Sequence, residues 1–362
     1  MCLKGLALPI IRLARCILRA GVWPDVWLNH WICALYKKLS PSNPENYRGI
    51  QLTAQISKVM ERCIGHLFQL PLQISGAFGP NQFAYSKGRG ARDALLFLIL
   101  TWLQAFANGQ KVGVYCSDVS GAFDKVSSEK LLQKLSSQGV HPSVINVLES
   151  WLAKRRANVV VGGVESVNIL MQDMVYQGTV WGPVLWNSFF ADAVRALIKA
   201  QFESIVYADD LNAYRLFPNQ TEQSVIDRSL RSCQDELHKW GRGNRVTFDP
   251  KKESFHTVSR VHPQGDGFKI LGIAFDCQLL MHDTIDELCT QCCWKVRTLL
   301  RSRRFFTTGE IVLHFKSHIL SFIEYRTPAI THAADSAIAS VNGVQARFLR
   351  DIGVSALDAL HI

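Results

Sequence analysis

A pair of adjacent aspartates interrupts an apolar, strand-forming run near the middle of the chain. Asp209 and Asp210 lie within residues 205–214, where most of the other residues are apolar. The β-branched and aromatic residues on both sides predict two short strands that are joined by an acidic turn. Two like charges at a tight strand junction repel each other, and burial adds to the cost. A divalent cation at the turn would relieve both problems.

A third carboxylate follows another strand-forming segment. Asp118 lies at the end of the β-rich residues 111–119. Carboxylates from two neighbouring strands can hold two Mg²⁺ ions about 3.5–4 Å apart, an arrangement that serves in-line phosphoryl transfer. An isolated Asp-Asp pair, however, is more often an ordinary turn. These residues alone therefore leave both interpretations open.

Composition narrows the class of protein. The 362 residues are 48% hydrophobic and 19% charged, which excludes extensive disorder. The net charge of +10 favours a polyanionic partner such as nucleic acid, although solubility alone can explain it. The longest apolar stretch, residues 94–107, is shorter than the roughly 20 residues of a membrane span. It therefore predicts a buried helix that begins after Asp93, and we expect no membrane among the partners. Ten irregularly spaced cysteines favour a reducing, intracellular compartment.

The order of the predicted elements indicates an α+β fold. Residues 1–110 alternate helical patterns with joints rich in Pro, Gly and Asn. The segments after them are predicted as a strand over 111–119, a helix over 127–139, a hairpin around 158–163, the two strands of the acidic turn, a helix over about 220–245, a hairpin over 246–275 and a basic helical region from Thr284 onwards. This order fits a split βαβ, ferredoxin-like core with helical additions.

Seven sequence blocks, taken in order, resemble the reverse transcriptase domain of non-LTR (LINE-type) retrotransposons. The blocks are residues 46–52, 82–94, 118–124, 177–185, 207–210, 248–253 and 268–272. One Tyr-Ala-Asp-Asp sequence carries little weight, but seven blocks in the family order, along nearly the whole chain, are specific. Four residues differ from those usual in the family, namely Gly49, Trp181, Asp249 and Glu253, and none of them is an expected metal ligand.

The resemblance implies a right-hand polymerase fold with a ferredoxin-like (split βαβ) palm, helical fingers and a helical partial thumb. We expect the fingers at residues 1–110, the palm at 111–276 with a fingers insertion at about 128–176, and a truncated thumb at 277–362. The implied activity is RNA-directed DNA synthesis, that is, two-metal nucleotidyl transfer onto a primer 3′-OH. The implied partners are an RNA template, a DNA primer and dNTPs, with two Mg²⁺ ions as cofactors that Mn²⁺ can replace. An endonuclease would come from missing or separate segments, and the family implies a nuclear location.

The resemblance also implies roles for individual residues in catalysis. Asp118, Asp209 and Asp210 would bind the metal ions, and Lys252 would donate a proton to the leaving pyrophosphate. The primer end would be gripped by a hairpin at Leu271 and Gly272.

A further set of residues is expected to bind the incoming nucleotide. Lys37, Lys38 and Arg48 would supply cations for its triphosphate. Phe123 would lie against the sugar 2′ position and exclude a ribose hydroxyl. Gln177 and Gly178 would let the backbone approach the new base pair closely, because glycine lacks a Cβ.

Two alternative functions stay open at this point. One is a catalytically inactive nucleic-acid-binding remnant of a decayed element, which the intact Asp118, Asp209 and Asp210 disfavour. The other is an intron-maturase-like RNA-binding protein, which is expected to carry a long basic helical domain after the thumb.

Overall fold

Residues 2–355, 357 and 358 are described by a computed structural model, in which the chain divides into two compact units. The first unit combines residues up to Lys87, Ser117–Leu211 and Ser232–Glu253. The second unit combines Gly88–Cys116, Asn212–Arg231 and the residues from Ser254 onwards. Each unit is therefore assembled from three separate stretches of sequence.

The described residues form both helices and strands throughout the chain. The α-helices are α1 (Cys2–Ala20), α2 (Gln55–Gly65), α3 (Gln69–Ile74), α4 (Ala91–Ala107), α5 (Ser128–Ser137), α6 (Pro142–Leu152), α7 (Gly182–Lys199), α8 (Gln223–Asn244), α9 (His282–Arg301), α10 (Thr308–Phe315), α11 (Ser321–Ile330) and α12 (Asp335–Ile352). The strands are β1 (Asn29–Tyr36), β2 (Tyr47–Leu52), β3 (Gln110–Ser120), β4 (Arg155–Val161), β5 (Val164–Glu165), β6 (Ile169–Met171), β7 (Glu203–Tyr207), β8 (Asp210–Pro218), β9 (Thr247–Phe248), β10 (Ser254–Val258), β11 (Phe268–Ile270) and β12 (Ile273–Phe275). No described helix combines the length and the apolar character that crossing a bilayer requires.

One sheet lies entirely within the first unit, with strand order β2-β1-β4-β5 and β6 paired to β4. β1 is antiparallel to β2 and parallel to β4, and β4 and β5 form the hairpin expected around residues 158–163. The expectation of helical patterns alone over residues 1–110 is wrong, because it omits β1 and β2. The pattern of β1 is misleading, since its buried residue is His30 while Trp31 and Leu35 are exposed.

The sheet that carries the acidic residues has strand order β10-β3-β8-β7, with β9 also paired to β3. The strand expected at 111–119 is β3, and the two strands expected around the acidic turn are β7 and β8. The hairpin expected over 246–275 is wrong in its pairing. β9 and β10 each pair antiparallel with β3, and the hairpin is confined to β11 and β12, where Phe268 lies opposite Phe275. Pro250 follows β9 closely and cannot donate a backbone hydrogen bond, so β9 stops after two residues.

Local signals set the ends of the helices that flank this sheet. Ser127 caps α5 by accepting a hydrogen bond from the Lys130 N–H, and Gly139 follows the helix with a φ of +86°. Before α4, the Gly90 N–H donates to Asp93 Oδ2 over 2.7 Å. The helices expected over 94–107, 127–139 and 220–245 are therefore confirmed as α4, α5 and α8.

Aromatic side chains form the core of the second unit. Trp102 of α4 is fully buried. Its ring centroid lies 6.2 Å from those of Tyr214 and Phe268 and 6.3 Å from that of Phe275. These contacts join α4 to β8 and to the β11–β12 hairpin.

Replacing this tryptophan tests the core directly. Trp102→Ala should lower the free energy of unfolding by about 3–5 kcal/mol, because a buried indole leaves a cavity among three aromatic rings. Its Nε1 has no hydrogen-bond partner among the described residues, so the loss is one of packing. Urea denaturation followed by circular dichroism measures it. Trp294, which is 66% exposed, provides the control, and Trp294→Ala should change stability by no more than about 0.5 kcal/mol. Equal losses in the two variants would contradict the prediction.

Candidate active site

The turn between β7 and β8 carries the aspartate pair of the first unit. Tyr207 ends β7, Ala208 and Asp209 form the turn, and Asp210 begins β8. Ala208 has a φ of +59°, in the left-handed region. This conformation costs an alanine about 1 kcal/mol or more, so the surroundings must stabilise it.

Two buried side chains bind the backbone of this turn. Gln82 Oε1 accepts a hydrogen bond from the Ala208 N–H over 3.1 Å, and Gln82 Nε2 donates to the Ala208 carbonyl over 3.4 Å. Trp186 Nε1 of α7 donates to the same carbonyl over 2.8 Å. Both backbone polar groups of Ala208 are therefore satisfied although the residue is buried.

Asp118 lies near the end of β3, next to the loop that follows β9. The Asp249 N–H donates to the Asp118 carbonyl over 3.1 Å. The Lys252 ammonium donates to Asp118 Oδ2, and Asp249 Oδ2 lies 3.9 Å from the same ammonium. The loop is tightened by the Lys252 N–H, which donates to the Asp249 carbonyl over 2.9 Å. The structure thus brings Lys252 into direct contact with Asp118.

The three carboxylates act on one another electrostatically. Burial, followed by the charges of Asp209 and Asp118, raises the pKa of Asp210 to about 6. Burial also raises the pKa of Asp209, and the charge of Asp118 adds to the increase. On the other side, the hydrogen bond to Asp118 raises the pKa of Lys252. The site therefore holds an excess of negative charge that Lys252 offsets only in part.

Two of the three expected triphosphate cations lie near acidic residues of the site. Arg48 of β2 lowers the pKa of Asp209 through its charge, against the larger effect of burial. Lys37, whose N–H donates to the Asn46 carbonyl over 2.8 Å, acts in the same way on Asp124. Lys38 is exposed, and among the described residues no contact ties it to the carboxylates.

Phe123 comes shortly after Asp118 in the sequence and packs against Trp186, which binds the acidic turn. Its ring stacks on Trp186 with centroids 5.6 Å apart and an interplanar angle of 23°. Its carbonyl accepts a hydrogen bond from the Val175 N–H over 2.8 Å. The ring is half-buried, so one part of it stays accessible.

Gln177 and Gly178 lie against β2. The Gln51 N–H donates to the Gln177 carbonyl over 2.8 Å. Gly178 has a φ of +100°, and a Cβ there would lie 2.7 Å from the Gln51 carbonyl oxygen. The backbone of β2 therefore requires glycine at 178, and the expected approach to a base pair stays a prediction.

Leu271 and Gly272, the expected primer grip, belong to the second unit. They form the two-residue turn between β11 and β12 with φ values of +50° and +76°. Both values are positive, as a tight hairpin turn of this kind requires. The Leu271 carbonyl accepts a hydrogen bond from Tyr325 Oη of α11 over 2.7 Å, which fixes the turn within its unit.

Comparison with known proteins gives these residues a family. Residues 36–275 match the family described as "Reverse transcriptase (RNA-dependent DNA polymerase)". The chain belongs to the reverse transcriptase family. The match covers all seven of the blocks noted above in full.

Among curated proteins, this reverse transcriptase is similar to a probable RNA-directed DNA polymerase from transposon BS of Drosophila melanogaster. The two are 31% identical over 177 residues, which are 49% of this chain and 19% of that protein. The chain is also similar to the RNA-directed DNA polymerase from mobile element jockey of Drosophila funebris. The two are 25% identical over 361 residues, a match that covers 93% of this chain and 39% of that protein. The expected kinship with non-LTR retrotransposon polymerases is thereby confirmed. The chain spans between about a fifth and two fifths of the length of these two relatives.

A solved structure supports the fold of this reverse transcriptase. Apo telomerase from Candida tropicalis, truncated from its C-terminal domain, superposes with a TM-score of 0.50 at 12% identity, covering 73% of this chain and 57% of that one. At such low identity the likeness concerns the fold alone. It confirms the expected α+β polymerase fold with mixed helices and sheets.

The donor set of this reverse transcriptase suits a divalent metal ion, which its family generally uses. Asp118, Asp209 and Asp210 offer only hard oxygen ligands. Across the part of the chain that the structure describes, however, no three His, Cys, Asp or Glu side chains converge in an arrangement ready to hold a metal ion. The Lys252 ammonium instead neutralises Asp118. A cation bound to Asp118 Oδ2 would therefore displace Lys252 from that oxygen.

A buried glutamate of α2 also shapes the site, and sequence analysis missed it. Glu61 Oε2 accepts hydrogen bonds from the N–H groups of Val180 and Trp181, over 2.7 and 3.4 Å. The Glu61 carbonyl accepts from Trp181 Nε1 over 2.6 Å. Glu61 thus anchors the loop that contains Gly178 to α2. Its partners lie about 120 residues away in sequence, so no local pattern identifies it; Gln82 was missed for the same reason.

The raised pKa of Asp210 predicts a measurable dependence of stability on pH. Its pKa of about 6 in the folded chain exceeds the value of about 3.9 expected when unfolded. The folded state then binds the proton more tightly, so the free energy of unfolding falls as the pH rises from about 4 to about 6 and levels off above that. In metal-free buffer, Asp210→Asn should therefore be more stable than the wild type at pH 7.5, and this advantage should shrink toward pH 4.5.

Thermal unfolding in EDTA across this pH range measures the effect. Asp286→Asn, on the exposed side of α9, controls for the loss of one carboxylate elsewhere. An Asp210→Asn variant that is less stable than the wild type at pH 7.5 would show that the carboxylates do not strain one another.

Proposed function

We propose that this chain is an RNA-directed DNA polymerase that adds deoxynucleotides to the 3′-OH of a DNA primer on an RNA template. One observation carries the proposal: Asp118, Asp209 and Asp210 act electrostatically on one another, and Lys252 contacts Asp118, in a chain whose residues 36–275 match the reverse transcriptase family. Nucleotidyl transfer needs concentrated carboxylates for metal ions and a proton donor for the leaving group, and this group of residues supplies both.

The three aspartates are the proposed ligands of two Mg²⁺ ions, which Mn²⁺ can replace. When bound, such ions lower the pKa of the primer hydroxyl and neutralise the departing pyrophosphate. Asp118 at the end of β3 and Asp209 and Asp210 at the β7–β8 turn would hold the ions and balance their charge. Burial and the neighbouring carboxylates raise the pKa of Asp209 and Asp210, so a cation would stabilise their charged forms, which supports this role.

Lys252 is the proposed proton donor to the pyrophosphate. Its ammonium carries the proton at the site itself, within hydrogen-bond contact of Asp118. The turn at Asp249 and the pairing of β9 with β3 hold its backbone next to the carboxylates. Once Asp118 is released, the ammonium is free to face the leaving group.

Residues around the carboxylates are proposed to bind the incoming nucleotide and the template. Arg48, with Lys37 and Lys38, binds the triphosphate, and the effect of Arg48 on Asp209 supports its place there. Gln177 and Gly178 position the new base pair from the loop that Glu61 anchors. Leu271 and Gly272 are proposed to hold the primer end. The endonuclease that such an element needs is proposed to lie in other segments, since the chain spans only part of its relatives' length.

Replacing one metal ligand tests the proposed chemistry. Asp209→Asn should lower primer extension by about 10²–10³-fold or more, because the carboxylate acts on transition-state charge through the metal ions. Affinity for an RNA–DNA primer–template should stay within a few-fold. Extension on a poly(rA) template with Mg²⁺ and fluorescence polarisation measure the two effects. Activity within a few-fold of the wild type would refute the assignment, and a wild type without activity would favour the inactive remnant.

Removing the Phe123 ring tests the proposed sugar filter. Phe123→Val should let ribonucleotides be incorporated, because the half-buried ring leaves space for a 2′-hydroxyl when it is truncated. Discrimination by fit alone is usually near about 10², so the dNTP to rNTP ratio of kcat/KM should fall by about that factor. Single-nucleotide extension with the two substrates side by side measures it. Unchanged discrimination would mean that Phe123 only packs against Trp186.

A further inference from the structure

Gln82 binds the acidic turn through both atoms of its amide. Its Oε1 accepts from the Ala208 N–H, and its Nε2 donates to the Ala208 carbonyl. The same Oε1 also accepts from the Ala84 N–H over 3.0 Å. Because two N–H donors face this atom, the orientation of the amide is fixed. One side chain thus satisfies both backbone groups of the residue that precedes Asp209.

Ala208 needs this support more than most turn residues. Its φ of +59° is unfavourable for any residue with a Cβ. Ala208 is only 7% exposed, so water cannot readily replace the amide as a partner for its N–H. Without Gln82, the Ala208 N–H would be buried and unsatisfied, and a shift of the turn would relieve it.

Gln82 is itself held firmly in place. Its backbone neighbours pair with β7: the Val206 N–H donates to the Asn81 carbonyl, and the Phe83 N–H donates to the Val206 carbonyl, both over 3.0 Å. The Gln82 residue is only 3% exposed. The segment before α4 therefore pairs in parallel with β7 through a bridge between Gln82 and Val206. From this position the amide of Gln82 reaches the acidic turn.

We propose that Gln82 is a positioning residue that sets the places of Asp209 and Asp210 by holding Ala208 in its left-handed conformation. It contacts neither the substrate nor a metal ion and acts only through the backbone of the turn. The inference rests on the proposed polymerase function and deepens it, because the carboxylates that Gln82 positions are the proposed metal ligands.

The test removes the amide while keeping its approximate volume. Gln82→Leu should raise the Mn²⁺ concentration for half-maximal binding several-fold, measured by electron paramagnetic resonance of free Mn²⁺ without substrate. It should also lower kcat for primer extension by about 10- to 100-fold, as small misplacements of catalytic groups do. Affinity for primer–template should not change. Gln82→Asn, which is polar but too short to reach both groups, should show the same direction if Gln82→Leu fails to fold.

A matched control exists in the same unit. Gln138 Nε2 donates to the Ser188 carbonyl over 3.1 Å, which is likewise an amide bound to the backbone but not at the acidic turn. Gln138→Leu should lose a comparable amount of thermal stability and keep wild-type Mn²⁺ binding and kcat.

A second substitution separates positioning from packing. Glycine adopts positive φ freely, so adding Ala208→Gly to Gln82→Leu should recover at least half of the lost Mn²⁺ affinity and about fivefold or more of the lost kcat. If Gln82 only filled space, removing another side chain would not help. Wild-type Mn²⁺ binding in both Gln82 variants, or a double variant no better than Gln82→Leu, overturns the proposal. If the wild type binds Mn²⁺ but does not extend a primer, the proposed function fails while the Mn²⁺ shift still decides the role of Gln82.

Discussion

Repulsion among Asp118, Asp209 and Asp210 is the constraint around which the first unit is arranged. Burial and mutual charge raise the pKa of Asp209 and Asp210, so isolated strands would move these groups apart or protonate them. The rest of the unit must hold them together. It does so with rigid backbone: the carboxylates stand at the end of β3 and at the β7–β8 turn, and buried side chains bind that turn. A bound cation would offset the free-energy cost of holding the carboxylates together.

The same requirement explains why the supporting residues come from remote parts of the chain. The hydrogen bonds that satisfy the backbone of Ala208 come from side chains distant in sequence. Gln82 reaches it from 126 residues before, and Trp186 reaches it from α7. The stack of Phe123 on Trp186 links the expected sugar filter to the same support. The proposed sugar filter and the acidic turn therefore share one aromatic support, Trp186.

The acidic residues of the site are easier to predict from the sequence than the residues that hold them in place. Asp118 and the aspartate pair stand out because charged residues interrupt apolar strand patterns, and β3, β7 and β8 follow from those patterns. β1 and β2 were missed because His30 is buried while Trp31 is exposed, which reverses the usual alternation. The 246–275 hairpin was mispaired because the partner of β9 and β10 is β3, more than a hundred residues earlier. Gln82 and Glu61 act through bonds that span more than a hundred residues, and no local pattern encodes such bonds.

The residues that depart from the family pattern differ in their consequences. Trp181 fits as a structural anchor, since its indole donates to the Glu61 carbonyl and packs 5.0 Å from Trp23. Asp249 lies closer to the chemistry. An asparagine there could still accept the hydrogen bond that the Lys251 N–H donates to Asp249 Oδ1, but it would carry no charge. After the hydrogen bond and the charge of Asp118, the charge of Asp249 further raises the pKa of Lys252. A donor with a higher pKa gives up its proton less readily, so this departure holds Lys252 more firmly in place and makes it a weaker acid.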